Sequence, residues 1–486
     1  MLGGGAEEGL SDSEANSVDD RRGPCVIDLS RNDVRSVQRH AFAWTKYLDV
    51  LLGDGRLPLS VDAYAFYGAR GMRRVVVQGV PALTLHPRIF TNTESVDKVE
   101  IRNTQVTSMD KFVFEGLKDV GAIVLDRVDV ASIQSYAFSG IHFRRSGPAP
   151  SAAVKERPMN GSNALLDAEL SRREARKARR RARYALSGGV LNVTSCHVGV
   201  LSTDAFRDAN LAHILFSRTD VDRLEKHVFR GVSGLQSLRL ENCRLGRSIG
   251  TETFSSLRGL EQLHLTGLIN TRLIDKFAFR GLHDIDELVI HFLADNVTLS
   301  TEAFAHVSDV ETLELRGQQT GTGNAGAESS TTALTIDVRA FRNLVGVERL
   351  RIVNFSLPTL RRHSFFGLSR VGTLTISNCS VTAIEHEAFG NVAGHVGAIG
   401  RVDLGVGNQL HCDCGAVHRE LALRFSDYSA VCRVQSAADG HVSYVDVRQM
   451  AITDCSSGSP RRTLLSTSSI LSVVTAALLF VLSVYR

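Results

Sequence analysis

A phenylalanine returns every 23 to 25 residues through most of this chain, at Phe42, Phe66, Phe90, Phe114, Phe138, Phe206, Phe229, Phe254, Phe279, Phe304, Phe341, Phe365 and Phe389. The two longer steps, 138 to 206 and 304 to 341, each hold one repeat and an insertion. Between anchors the apolar positions superpose: Leu374 on Leu350, Ile376 on Ile352, Cys379 on Phe355, Val381 on Leu357 and Ile384 on Leu360. The unit reads L-x-L-x-x-(N/C)-x-L-x-x-I-x-x-x-x-F. Its opening L-x-L alternates with period two, as a short strand with one buried face does. The Asn or Cys that follows must turn the chain inward and satisfy buried carbonyls. One such unit cannot cover its own apolar face, so only a stack of them is stable.

These motifs resemble the leucine-rich repeat family in its extracellular form of roughly 24 residues, over about residues 25–410. The resemblance implies an α/β fold: a right-handed leucine-rich repeat solenoid with a parallel concave β-sheet, an irregular convex side and a disulfide-bonded C-terminal cap. Fourteen strand positions, the last at Val402 and Leu404, would make a sheet about 65 Å long. The first repeat, with Ile27, Leu29, Asn32, Val34 and Val37, is the most regular. The second is interrupted by Gly53, Gly55 and Pro58 and is expected to form a distorted coil around Val50 and Leu52. Insertions are expected at 142–187 and 317–333, with 1–24 a disordered leader, 411–455 the cap and 456–486 an anchor.

The formal charge of +4 is concentrated in residues 171–183, which carry eight Lys or Arg against Glu174. That run is a solvated insertion or a wrongly retained intron, a proprotein-convertase site, or a heparan or nuclear-localisation segment. Outside it the chain is slightly acidic, and no nucleic-acid partner is expected.

Cysteine usage points to an oxidising compartment. Cys412, Cys414, Cys432 and Cys455 follow the last repeat as a C-x-C...C...C cluster, whereas Cys196, Cys243 and Cys379 occupy the turn position of their repeats. Cys196 and Cys243 should lie two strand spacings apart, about 10 Å, too far for a disulfide, which needs Cα atoms within about 7 Å. By the connectivity of the resembled family, Cys412 should pair with Cys432 and Cys414 with Cys455; zinc is the rival use of the same four. The polar, acidic start MLGGGAEEGLSDSEANSVDD shows no secretory signal. Either the protein is cytosolic or its gene prediction omits the first exon; the carboxyl-terminal features and the abrupt start of the first repeat favour the second reading.

At the other end, small Ser456, Ser457, Gly458 and Ser459 precede a polar spacer and the apolar stretch Ile470 to Tyr485. That order fits a GPI-attachment signal; a transmembrane helix is the alternative. Five N-x-S/T sequons occur, at Asn160, Asn192, Asn296, Asn354 and Asn378. Register places Asn192, Asn354 and Asn378 on or at the rim of the concave sheet, where glycans would obstruct ligand. The open concave surface is then expected in the repeats ending at Phe90 to Phe138 and Phe229 to Phe304.

There the outward-facing residues are Glu100, Arg102, Asp126, Arg127, Arg218, Arg239, Glu241, His264 and His291, with Phe292 as an exposed aromatic anchor. No G-x-S-x-G or H-E-x-x-H occurs and the sixteen His are scattered, so neither catalysis nor a cofactor or metal is expected. The expected role is a cell-surface protein-binding leucine-rich repeat protein in adhesion or recognition, similar in layout to GPI-anchored proteins of the chaoptin and connectin kind. Its partner would be a protein ligand or cell-surface receptor, with homophilic contact a further option. The alternative is a transmembrane signalling receptor or co-receptor ectodomain; a cytosolic scaffold is the third.

Overall fold

The computed structural model describes residues 25–144, 189–318, 331–389, 399–405, 407–411, 420–421, 425, 427–435 and 442–447. The leader, the basic run, Asn160, Cys412, Cys414, Cys455 and the C-terminal anchor lie outside them.

Each repeat lays down a concave strand, such as Ser237–Glu241, in parallel register with the strands before and after it. About 14 such turns build a parallel-strand β-solenoid with almost no helix. The α/β expectation is therefore corrected: among the described residues only Glu420 and Leu421 are α-helical. The convex side is not irregular either. Many repeats add a second short strand after the turn, as in Asn296–Leu299, Ala333–Ile336 and Ser356–Leu360, and these pair in parallel into a second sheet. The β-branched residues at these places suit a pleated strand, but two to five residues are stable only when a neighbouring coil supplies the partner.

The anchors stack into a continuous column. Twelve successive ring pairs from Phe42 to Phe389 have centroids 4.8 to 6.0 Å apart and planes within 18°. Most of these rings are fully buried, and each stabilises the fold by about 1.5–3 kcal/mol relative to exposure. Two residues before each Phe the backbone turns left-handed, and its amide bonds the next repeat: Tyr136 N–H to Asp204 O, His227 N–H to Glu252 O, Phe277 N–H to Glu302 O. Insertions leave this ladder intact. Phe138 and Phe206 stack at 4.8 Å across the first insertion, and Phe304 and Phe341 at 5.5 Å across the second.

The second repeat is less distorted than its Gly and Pro content suggests. Val50 and Leu52 pair in register on both sides and are buried. Its irregularity is confined to the turn, where Gly53 and Asp54 take positive φ.

Inward turn residues satisfy the carbonyls between strands and turns. Thr219 Oγ1 donates to Val193 O and accepts from Cys196 N–H; Asn408 Nδ2 donates to Ile376 O and its Oδ1 accepts from Cys379 N–H. Cys196, Cys243 and Cys379 are buried free thiols in this ladder, each pushed up to about 11 by burial. Cys432 is buried beside the last coil.

At the C-terminal end Phe425 meets the last ring, Phe389, edge-on at 5.9 Å. Leu421, Cys432 and Val447 are buried beside it. Tyr428–Gln435 pairs with the last concave strand and turns back antiparallel onto Val442–Asp446, which ends the parallel run.

Ion pairs also bind repeats together on the flanks. His197, at the start of its second-sheet strand, is clamped between neighbouring coils, with Nδ1 2.9 Å from Asp129 and Nε2 3.1 Å from Asp222. The hydrogen bond to Asp129 raises its pKa above the usual imidazole value; burial opposes it, and the hydrogen bond and charge of Asp222 add to the rise. A raised pKa means stability present below the unfolded value of about 6.5 and lost as pH rises through the folded value. His197→Gln is therefore expected to lower the melting temperature at pH 6 and to match the parent at pH 9. An equal deficit at both values would contradict the clamp.

Candidate concave recognition surface

Alternation within each concave strand sorts the side chains. Leu238 and Leu240 are buried while Arg239 between them faces outward. Register then lines up one central row across the stack: Val76, Glu100, Val124, Asn192, Leu215, Arg239, His264, Val289, Glu314, Arg351, Thr375 and Asp403. Flanking rows carry Lys98 and Arg102 beside Glu100, and Arg349 and Arg316 near Glu314.

Three charged centres result. Glu100 is nearly buried between Lys98 Nζ at 2.8 Å and Arg102 Nη2 at 2.5 Å. Arg239 pairs with Glu241 at 2.6 Å, and His264 with Glu287 at 3.1 Å. Glu314 is pinned by Arg316 and Arg351, while Arg349 holds Glu311 at 2.9 Å. Between the first two centres runs a neutral strip of Val124, Asn192, Thr194, Leu215 and Ser217. Burial lowers the pKa of His213 beside this strip, and burial together with Arg316 lowers that of His291, so both are neutral near pH 7.

Of the residues expected on this face, Glu100, Arg102, Asp126, Arg239, Glu241, His264 and His291 lie on its strands. Arg127 and Arg218 do not face the sheet like those residues. Both sit in the left-handed turn, at φ 53° and 50°, where Arg127 reaches back to Asp126. Phe292 is not an exposed anchor: it is fully buried, with its ring 6.4 Å from Phe355. The register slips beyond Leu265, so Phe292 pairs with the inward-facing Leu268.

The Glu314 centre was hidden by the weight given to Asn354 and Asn378. Both occupy turn positions with positive φ, so a sugar on either would leave from the rim, and the strand face of Arg349 and Arg351 stays open. Asn354 Oδ1 is itself buried without a hydrogen-bond partner. Asn192 does lie in the central row, its Oδ1 accepting from Thr194 of the same sequon at 2.7 Å. Asn296 is exposed at the start of a second-sheet strand.

No curated protein matches the sequence. Among solved structures, TLR13 in its complex with ssRNA13 is 13% identical with a TM-score of 0.37, covering 85% of this chain and 60% of that one. Toll in its complex with Spatzle, from Drosophila, is 12% identical with a TM-score of 0.38, covering 86% and 52%. This chain thus spans less than two thirds of either. The BspA type leucine rich repeat region matches in six copies, over residues 35–145, 199–325 and 322–394, more than half of the chain. On that match, and on the coil-by-coil register that accompanies it, the chain belongs to the BspA-type leucine rich repeat family.

Proposed function

We propose that this chain is a cell-surface recognition protein that binds a protein partner on its concave sheet and acts in adhesion or recognition. The observation that carries the reading is the central row itself. Centres of mixed charge flank a neutral strip containing Val124 and Leu215 on a broad, rigid, solvent-facing sheet. Protein interfaces combine such a polar rim with a less polar middle. A broad, open sheet surface suits the docking of a protein partner.

In this proposal Cys412 pairs with Cys432 and Cys414 with Cys455 to close the C-terminal cap, and residues 456–486 direct GPI attachment. The burial of Cys432 beside the last coil is in keeping with the first of these. The sequons are glycosylated on the extracellular side. The transmembrane receptor reading differs only in the anchor, and release by a phosphatidylinositol-specific phospholipase separates the two.

The direct test uses protein-coated beads and cells that bind them. Arg239→Ala with Glu241→Ala should reduce bead binding about tenfold or more, whereas Arg361→Ala with Arg362→Ala, on the flank where those residues pair with Asp337 and Glu387, should leave it unchanged. Equal loss from both pairs, in protein of unchanged melting temperature, would remove the concave face as the site.

A further inference from the structure

The only tryptophan of the chain, Trp44, sits in the first repeat and is 63% exposed; Tyr47, three residues on, is 71% exposed. Both occupy left-handed backbone, at φ 60° and 53°. Later repeats mostly fill the place of Trp44 with Gly, Asn or Asp, as at Gly68, Asn92, Gly116 and Asp208, and that of Tyr47 with Gly, Ser or Asp, as at Gly71, Ser95 and Asp119, with His306 and Arg370 the larger exceptions. The left-handed aromatics elsewhere, Tyr64, Phe112, Tyr136 and Phe277, are better covered. Large aromatics at these two places are conformationally unfavourable and gain little from burial. Strain of this kind, unrewarded in the core, is a pointer to function.

Both rings are seated. A Cβ on Gly68 would lie 2.6 Å from the Trp44 ring, and one on Gly71 3.1 Å from the Tyr47 ring, so each ring rests on a bare glycine backbone and turns its other face to solvent. Tyr67 stands edge-on to Trp44 at 5.3 Å and fixes its tilt. Cations also lie close to the rings in sequence. Several cations on the same flank of later repeats are neutralised by a neighbouring coil, Arg88 by Glu115, Arg230 by Asp204, Arg342 by Glu302 and Arg362 by Glu387, while Arg339 stacks over Phe366 as Arg39 does over Tyr64. Arg39, stacked over Tyr64 at 4.7 Å, and the exposed Lys46 pair with no described carboxylate.

We propose that Trp44, Tyr47, Arg39 and Lys46 form a binding platform for an anionic polysaccharide, one bearing sulfate or uronate groups. The C–H face of a pyranose covers an open aromatic plane while its hydroxyls stay hydrated, and its anionic groups meet the two unpaired cations. A peptide anchor would need a pocket that excludes water around it, whereas two rings lying flat on the surface provide none. The site is separate from the concave sheet and does not depend on that reading.

Trp44, the chain's one tryptophan, reports on this site by its fluorescence in the full chain, which matters because the basic run 171–183 would also bind a polyanion. A heparin-derived oligosaccharide should change the emission saturably. Tyr47→Ala with Lys46→Ala should weaken that half-saturation about tenfold, at unchanged melting temperature, while replacing the basic residues of 171–183 should not. Neutral dextran oligosaccharides and polyglutamate should leave the emission unchanged. The proposal is overturned if the sulfated sugar binds without moving Trp44 emission, if polyglutamate moves it as strongly, or if neutral dextran does.

Discussion

Replacing Phe279 with alanine should cost about 3–5 kcal/mol of stability. Phe279 is fully buried between Phe254 at 5.5 Å and Phe304 at 5.1 Å. Its removal forfeits the transfer of the ring and opens a void that the two adjacent coils cannot close, because their spacing is fixed by the strand register on one side and the amide ladder on the other. The control lies two residues away. Phe277 is partly exposed, with Lys276 and Arg280 over its ring, and Phe277→Ala should cost about 1 kcal/mol or less. Urea unfolding of the two variants checks the contrast, and equal midpoints would mean that the column does not hold the stack together.

Asn408→Leu should follow closely. The buried Asn408 amide accepts from Cys379 N–H at 2.9 Å and donates to Ile376 O at 2.6 Å, so leucine leaves one donor and one acceptor unsatisfied in the core. At about 1–3 kcal/mol for each of the two orphaned groups, the last coils should lose about 2–6 kcal/mol. The loss should be local at first: amide hydrogen exchange in the strands Val371–Ser377 and Ser380–Ile384 should accelerate before that of the strands near Phe229. Uniform acceleration along the chain, or none, would contradict this role.

Much of the fold was readable because the core is written in one dimension. The Phe spacing and the L-x-L alternation mark the coils, and an insertion shifts the count without changing the phrase that resumes at Leu191 or Leu334. The second sheet was not readable. Val198 and Leu201 show no period-two pattern of their own, and their strand exists because Val130 and Val221 of the adjacent coils pair with Val198. The helix content came with the family expectation and not from any 3.6-residue periodicity in the repeats.

The concave face was legible where counting from the strand leucines holds, as at Arg239 and His264. It failed at Phe292, where a slip of register alters the count without any mark in the local sequence. Arg127 and Arg218 could have been assigned correctly. The same position is Asn103, Ser195 and Asn242 in other repeats, residues that favour left-handed backbone, so the turn was recorded in the neighbours. Glu314 and Arg351 alternate as clearly as Arg239 does, and were passed over only because sequons nearby suggested a glycan shield.

The central claim is that a partner occupies the concave sheet, and a glycan wedge tests it most directly. Arg239→Asn with Glu241→Thr writes an N-x-T sequon around buried Leu240 in the middle of the central row, while Arg361→Asn with His363→Ser writes an N-x-S sequon on the flank without a β-branched residue in the left-handed position of His363. Both variants would be secreted from a host that attaches N-glycans, with occupancy confirmed by mass spectrometry and folding by melting temperature, and then applied on beads to cells that bind the parent protein. A glycan at 239 should abolish binding and one at 361 should leave it intact. Undiminished binding by the protein glycosylated at 239 would contradict the account.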